Sequence, residues 1–222
     1  MEKRKIIFGA YDTDLDGLWT LAEWELTDPE YHSNLVTVPG RDGPLDLSTV
    51  LTEGEPRYGT RKLTVRLESS EGTRLERKAR IDTMANWLDG WSLEITLPDD
   101  PEHYVKGRLH VAREYNDPAH AAVTVTATCD PWRYSRTERM YTLTATSTQQ
   151  LAVLSNTGRR TVAPVLTISG EAASVGLVFG ASSWTLGPGV YQLPDLILRQ
   201  GDAELYYSGT GTVQLAYREA VL

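Results

Sequence analysis

The sequence predicts a mainly β protein with one helix, arranged as two domains. Many short runs alternate apolar and polar residues at the spacing of β-strands, as in Arg61–Glu68. Only residues 73–90 show the three-and-four spacing of an amphipathic helix. Residues 1–138 hold 17 Lys and Arg against 25 Asp and Glu, which accounts for the whole net charge of −8, whereas residues 139–222 hold 5 of each. We therefore predict a boundary between residues 138 and 139.

Length, composition, net charge and cysteine count limit the classes of protein to which this chain can belong. A chain of 222 residues with 41% hydrophobic residues can bury a core. The net charge of −8 argues against a protein that grips nucleic-acid phosphates. A single cysteine, Cys129, excludes an intramolecular disulfide, and at a strand end it is typical of a small buried apolar residue. Apolar runs are too short for a signal peptide or a membrane span, so we expect cytoplasmic synthesis and no membrane insertion.

An acidic segment near the N-terminus matches a calcium-loop pattern. Asp12, Asp14, Asp16, Gly17 and Glu23 follow D-x-D-x-D-G-x5-E. Such a loop needs a helix on each side, but both flanks have strand-like or glycine-containing sequence. We interpret the segment as an acidic turn entering a strand, and calcium binding stays the alternative. The strand's alternate positions are Leu18, Thr20, Ala22, Trp24 and Leu26.

The helix has recognisable ends. Thr73 is the predicted N-cap, Glu76 completes a capping box, and Gly90 ends the helix. The expected stripe toward the core, polar only at Lys78, comprises Leu75, Lys78, Ile81, Met84, Ala85 and Leu88. The expected outward basic residues are Arg74, Arg77, Lys78 and Arg80. We interpret this basic patch as a solvated face, with contact to an acidic neighbouring subunit as the alternative.

Val38–Ser48 has the strongest turn chemistry in the chain. Two prolines and two glycines surround Arg41 and Asp42, and strand-like residues lie on both sides. Such a loop predicts a constrained corner rather than a slack connection.

The sequence pattern of residues 139–222 predicts a β-sandwich of short strands. Gly170 and the Gly209–Gly211 segment are expected to be turns that separate strands, and Leu196–Arg199 is another candidate strand. Trp184, Tyr191 and Tyr206 could form an aromatic platform for sugar, together with Tyr207 and Tyr217. The alternative is that these rings are ordinary core or strand residues.

Several signatures occur in order along residues 6–134. They are Val-Pro-Gly-Arg-Asp-Gly at 38–43, Tyr-Gly-Thr-Arg-Lys-Leu at 58–63, Trp-Leu-Asp-Gly at 87–90, Tyr-Val-Lys-Gly-Arg-Leu at 104–109 and Thr-Cys-Asp-Pro-Trp-Arg-Tyr at 128–134. In this order they resemble the distal tail protein (Dit) family of long, non-contractile-tailed bacteriophages and related prophages. A series of motifs is more specific than one short pattern.

The resemblance implies a structural virion protein, assembled in the bacterial host cytoplasm. Six copies would form a ring hub that joins the tail tube protein to a tail-tip or tail-associated protein. Residues 1–138 would build the ring, and residues 139–222 would be a galectin-like β-sandwich. Phage DNA would pass through without specific binding, so acidic side chains of residues 1–138 are expected to face the hole. A carbohydrate-binding module for adsorption to the host cell wall is the alternative function.

By analogy with the family, residues 27–60 supply much of an arm that reaches onto the neighbouring copy. Arg41, Asp42, Arg57 and Tyr58 are the expected intersubunit residues. No catalytic site, cofactor or metal is expected, because the sequence has no H-E-x-x-H, Gly-x-Ser-x-Gly or Cys/His cluster. The histidines, His32, His103, His110 and His120, have no nucleophile in a familiar arrangement.

Overall fold

A computed structural model describes residues 4–16, 18–52, 54–114 and 120–222. The chain forms two compact units, Met1–Arg133 and Tyr134–Leu222. The regular structure is mostly β, and the described residues contain one α-helix, α1 (Arg74–Leu88). The predicted fold class, mainly β with one helix, is therefore confirmed. The two units meet within the strand Ala121–Ser135.

The first unit is built on one large sheet. Its strands follow the order β2-β1-β7-β8-β9-β6-β3, and β4 pairs with β5 separately. The strands are β1 (Ile7–Phe8), β2 (Tyr11–Asp12), β3 (Thr20–Leu26), β4 (Leu35–Val36), β5 (Leu45–Asp46), β6 (Arg61–Ser69), β7 (Ser92–Leu97), β8 (Asp100–Glu114) and β9 (Ala121–Ser135).

One face of this sheet forms the core of the first unit. Leu63 lies opposite Ala127, and Val65 lies opposite Val125, so the apolar positions of β6 and β9 share a face. All four are buried, and helix α1 contributes Ile81 and others to the same cluster. The opposite face carries polar residues, as the alternation in the sequence predicted.

Helix α1 begins and ends where the sequence predicted, but its buried stripe differs. Thr73 and Glu76 form the capping box, and Gly90 follows the C-cap with a φ of 83°. Leu75 was expected in the core but is 78% exposed, whereas Arg77 was expected outside but is buried. The reason is that Arg77 lies in line with Ile81, and its guanidinium donates to the carbonyl oxygens of Ser70 and Gly72.

Strand β3 also departs from simple alternation. The pairing with β6 shifts register between Leu21 and Glu23, which is a β-bulge. Leu21 and Trp24 therefore pack against the core, while Leu18 and Ala22 are exposed. The predicted alternate positions are wrong before Trp24, because the extra residue reverses which side chains face inward.

In the second unit, two long strands pair with several shorter ones. These strands are β10 (Arg139–Ala145), β11 (Gln150–Asn156), β12 (Val165–Phe179), β13 (Ser182–Leu186), β14 (Gly189–Gln192), β15 (Gly201–Tyr217) and β16 (Ala220–Val221). The first half of β15 pairs with β11 and the second half with β10. Similarly, β12 pairs first with β14 and then with β13. Two four-stranded layers result, and their apolar residues form one buried cluster.

Both long strands bend where they pass between layers. Gly209 has a φ of 114°, and a Cβ there would lie 2.0 Å from the carbonyl oxygen of Ser174. Facing it, β12 shifts register between Ser169 and Ser174. The predicted turns at Gly170 and at Gly209–Gly211 are therefore wrong, because the glycines bend continuous strands instead of ending them. The predicted strand Leu196–Arg199 is only a single bridge between Leu198 and Val162.

Candidate functional site

The most unusual segment of the first unit connects β3 to β6. We call residues 27–60 the arm, and they contain the β4–β5 hairpin and a 3₁₀ turn at Val50–Thr52. Every described residue of the arm is exposed or half-buried. The arm thus has regular structure without a core of its own. An isolated two-stranded hairpin is marginally stable in water, so the arm depends on contacts outside itself.

The base of the arm is held by backbone hydrogen bonds and aromatic rings. The amide of His32 donates to the carbonyl of Arg57 over 2.9 Å, and the amide of Gly59 donates to that of Glu30 over 2.8 Å. The Tyr58 ring makes edge contacts with Tyr31 and with Trp132 of β9, at centroid distances of 6.2 and 5.6 Å. The aromatic contacts couple the base of the arm to the sheet.

The far end of the arm is a rigid turn. The amide of Arg41 donates to the carbonyl of Val38, and Gly40 has a φ of 81°, which is the pattern of a type II turn. Residues 38–44 therefore form the tip of the arm, because β4 and β5 pair on either side of them. Among the described residues, the exposed Arg41 and Asp42 side chains make no hydrogen bond or ion pair.

The hairpin is fastened mainly by one small polar cluster. The amide of Asn34 donates to Ser48 Oγ over 2.8 Å, and the amide of Leu47 donates to the carbonyl of Asn34 over 2.8 Å. Asp46 Oδ1 accepts from both the amide and the hydroxyl of Ser48. These hydrogen bonds favour the ionised carboxylate and lower the pKa of Asp46.

Apolar side chains project from the arm into solvent. Leu51 is 90% exposed and Val50 is 64% exposed, beside others on the hairpin. Single exposed apolar residues are normal, but a segment that has several of them and no buried residue indicates a surface covered by a partner. The exposed apolar residues of the arm are Tyr31, Leu35, Val36, Val38, Val50 and Leu51.

A cleft of about 830 Å³ lies where the arm meets the polar face of the sheet. The arm contributes Asp28 and Glu30, and the strands contribute Lys62 and Arg108, so the cleft contains both signs of charge. Sequence alternation predicts that Lys62 lies on the wet face of β6, but it gives no sign that the arm borders this face. The complete lining is Thr27, Asp28, Glu30, His32, Tyr58, Gly59, Thr60, Arg61, Lys62, Arg108, His110, Thr126, Ala127, Thr128 and Pro131.

Arg61 is the most unusual residue of the cleft lining. It is only 5% exposed, and its Nε has no hydrogen-bond partner among the described residues. Burial, together with the nearby charge of Arg133, lowers the pKa of Arg61. A buried guanidinium nitrogen without an acceptor is costly and therefore requires an explanation.

The acidic loop near the N-terminus has strands on both sides, β2 before it and β3 after it. Asp12 accepts from Lys5 Nζ over 2.7 Å and from the amide of Asp14, and Asp16 accepts from the amide of Asp12. These contacts are typical of an acidic turn, and Gly17 lies outside the described residues. Within residues 4–16, 18–52, 54–114 and 120–222, no cluster of three or more His, Cys, Asp and Glu could hold a metal ion.

The three candidate sugar-platform residues do not share one exposed face. Trp184 and Tyr191 pack against the core of the second unit. Tyr206 is 37% exposed, and its hydroxyl donates to Glu204 Oε2 over 2.8 Å. Trp184 lies opposite Leu177, which is buried, whereas Tyr206 lies opposite the exposed Val178, so the two rings are on opposite faces of their layer.

Two histidines of the first unit, His103 and His110, make structural contacts. His103 Nδ1 lies 2.7 Å from Asp100, which also accepts from Arg133. His110 Nδ1 lies 3.0 Å from Asp89 at the end of α1. The carboxylate of Asp89 also accepts from the amide of Val111, so these contacts connect the helix end to β8. Among the described helices, none combines the length and hydropathy needed to cross a membrane.

Comparison with known proteins shows the fold. No protein-family model matches the sequence, and no curated protein matches it. The crystal structure of the Dit protein (gp 19.1) of phage SPP1, described as a paradigm of the hub adsorption apparatus in phages that infect Gram-positive bacteria, is similar over 100% of both chains. The TM-score is 0.70 and the sequence identity is 17%. The chain therefore has the fold of a phage distal tail protein, as the sequence signatures implied.

Proposed function

We propose that this protein is a structural virion component that forms a ring-shaped hub at the distal end of a phage tail. The full-length similarity to a protein of a hub adsorption apparatus supports this proposal. In this role the hub joins the tail tube to the tail-tip proteins, and its work is assembly rather than catalysis. Six copies are the number that the family resemblance implies.

The observation that carries the proposal is the arm. Residues 27–60 contain a hairpin and several exposed apolar residues, yet no described residue there is buried. A ring needs head-to-tail contacts, in which one surface of each copy meets a different surface of the next. An arm that projects apolar side chains and is anchored at its base suits such a contact.

The charge of the first part of the chain fits the same role. Residues 1–138 carry the whole net charge of −8. We propose that acidic side chains of this part line the hole, where they would keep DNA phosphates from binding as the genome passes. A structure of the assembled ring with a basic hole would contradict this part of the proposal.

Light scattering on the purified chain over a range of concentrations tests the assembly. We expect a species with six times the mass of one chain. Leu51→Ser should raise the concentration needed for assembly about tenfold, because it removes an apolar contact from the arm. Its thermal stability as a monomer should change little, since Leu51 is exposed there.

Val190→Ser is the matched control, because Val190 is 69% exposed but lies in the second unit. It removes a similar apolar side chain outside the arm and should leave assembly unchanged. Equal assembly of the Leu51→Ser and wild-type chains would show that the exposed 3₁₀ turn of the arm is not part of the joint.

A further inference from the structure

The cleft at the base of the arm and the tip of the arm have complementary features. The tip presents Arg41 and Asp42 side by side on a rigid turn. The cleft presents Asp28 and Glu30 from one side and Lys62 and Arg108 from the other. Each surface therefore carries both a positively and a negatively charged side chain that could pair with the other surface.

Of these charges, Arg108 donates to the carbonyl of Gly90 over 2.6 Å within its own chain, and the others have exposed side chains. Among the described residues, the Arg41, Asp42, Asp28, Glu30 and Lys62 side chains make no hydrogen bond or ion pair. Exposed charges without partners are ordinary on a surface, but charges of both signs gathered around one cleft can form several ion pairs with a complementary surface.

Within one chain the tip does not occupy the cleft, because neither Arg41 nor Asp42 is among the lining residues. The cleft is bordered by the base of the arm, whereas Arg41 and Asp42 lie beyond the β4–β5 hairpin at the other end. The tip is held in its turn by the Val38–Arg41 hydrogen bond and by a positive φ at Gly40 and Gly43. A tip of this kind can enter a cleft on another copy with little loss of conformational entropy.

We propose that the arm tip of one copy docks in the cleft at the base of the next copy's arm. Asp42 pairs with the cations of the cleft, Lys62 and Arg108, and Arg41 pairs with Asp28 or Glu30. The contact is head-to-tail, so it repeats from copy to copy and can close into a ring. The inference rests on the proposed self-assembly and names the receptor for the arm.

Mixed disulfide cross-linking tests the docking directly. One full-length variant carries Asp42→Cys and the other carries Lys62→Cys, and they are combined under mild oxidation. We expect a covalent dimer in the mixture and no covalent product from the Lys62→Cys chain alone. The native thiol should not interfere, because burial raises the pKa of Cys129 to about 12 and it is almost inaccessible.

Lys106→Cys is the matched control, because Lys106 is an exposed lysine of the same sheet that does not line the cleft. Asp42→Cys should not cross-link to it. A covalent dimer of the Asp42→Cys chain alone would mean that two tips meet each other, and it would overturn the docking. So would the absence of a product from the Asp42 and Lys62 mixture where the wild-type chain self-associates.

A charge exchange provides a second readout. Asp42→Lys should raise the concentration needed for assembly about tenfold, because it places like charges together. Adding Lys62→Glu to the same chain should restore most of the loss, whereas adding Lys106→Glu should not. Assembly of wild-type chains without this rescue overturns the docking but leaves the hub function standing. Wild-type chains that stay monomeric even with tail-tube and tail-tip proteins present overturn both.

Discussion

The arm and the second unit are both β structure, but only the second unit has enclosed its apolar residues. In the second unit, residues such as Leu154, Leu166 and Leu215 are fully buried in one cluster. In the arm, Leu51 is 90% exposed and no described residue is buried. Both regions contain strands with apolar residues, but the second unit buries these residues in its own core, whereas the arm leaves them exposed to solvent.

The difference follows from how many strands can stack. Two long bent strands give the second unit two layers, so every strand finds an apolar neighbour above or below it. The arm has a hairpin of two residues on each side and no second layer among the described residues. Burying one large aliphatic side chain contributes roughly 1.5–3 kcal/mol, and the arm can gain that only from a partner.

We expect the largest loss of stability from a substitution at the bend of the second unit. Gly209→Ala would place a Cβ 2.0 Å from the backbone oxygen of Ser174 at a φ of 114°. We expect the free energy of unfolding to fall by about 3 kcal/mol or more, measured by denaturant unfolding. Gly180→Ala is the control, because its φ is also positive but nothing lies within 4 Å. Equal losses in the two variants would contradict a steric origin.

We expect an intermediate loss of stability from substitutions of aromatic residues in the second unit. These variants distinguish rings that pack in the core from rings that could bind a ligand. Trp184→Ala should lower the free energy of unfolding by about 2 kcal/mol, because the ring packs against the core. Tyr206→Ala should cost less than about 1 kcal/mol, since its ring is on the outer face. Thermal unfolding of the two variants measures both. A Trp184→Ala chain of unchanged stability that lost sugar binding would favour the carbohydrate-binding alternative.

The smallest expected effect is on the arm and depends on pH. The pKa of Asp46 is lowered from 3.8, so its bonds to Ser48 stabilise the hairpin above that pH. This contribution is lost as the pH falls through the lowered pKa, when the carboxylate becomes protonated. Cross-strand NMR contacts between Val36 and Leu45 should weaken there. Asp46→Asn should remove the transition, and a transition of the same size in that variant would contradict the assignment.

Local sequence signals predicted much of the framework. The capping box of Thr73 and Glu76, the turn at Val38–Arg41 and the alternation of β6 all depend on residues within a few positions of one another. The buried place of Arg77 was not predictable, because it depends on carbonyl oxygens of the loop before the helix. The bends in β12 and β15 look like turns in the sequence, since glycine is typical of both.

The candidate site likewise has features that the sequence predicted and features that only the tertiary structure determined. The sequence alone indicated a constrained turn with Arg41 and Asp42, an arm over residues 27–60 through the family resemblance, and a mainly β fold. Only the tertiary structure placed that turn at the tip of the arm, left the arm without a core, and gathered Asp28, Lys62 and Arg108 around one cleft. The physical reason is that turns and strand alternation are short-range properties, whereas a cleft depends on which distant strands pair and which faces they leave uncovered.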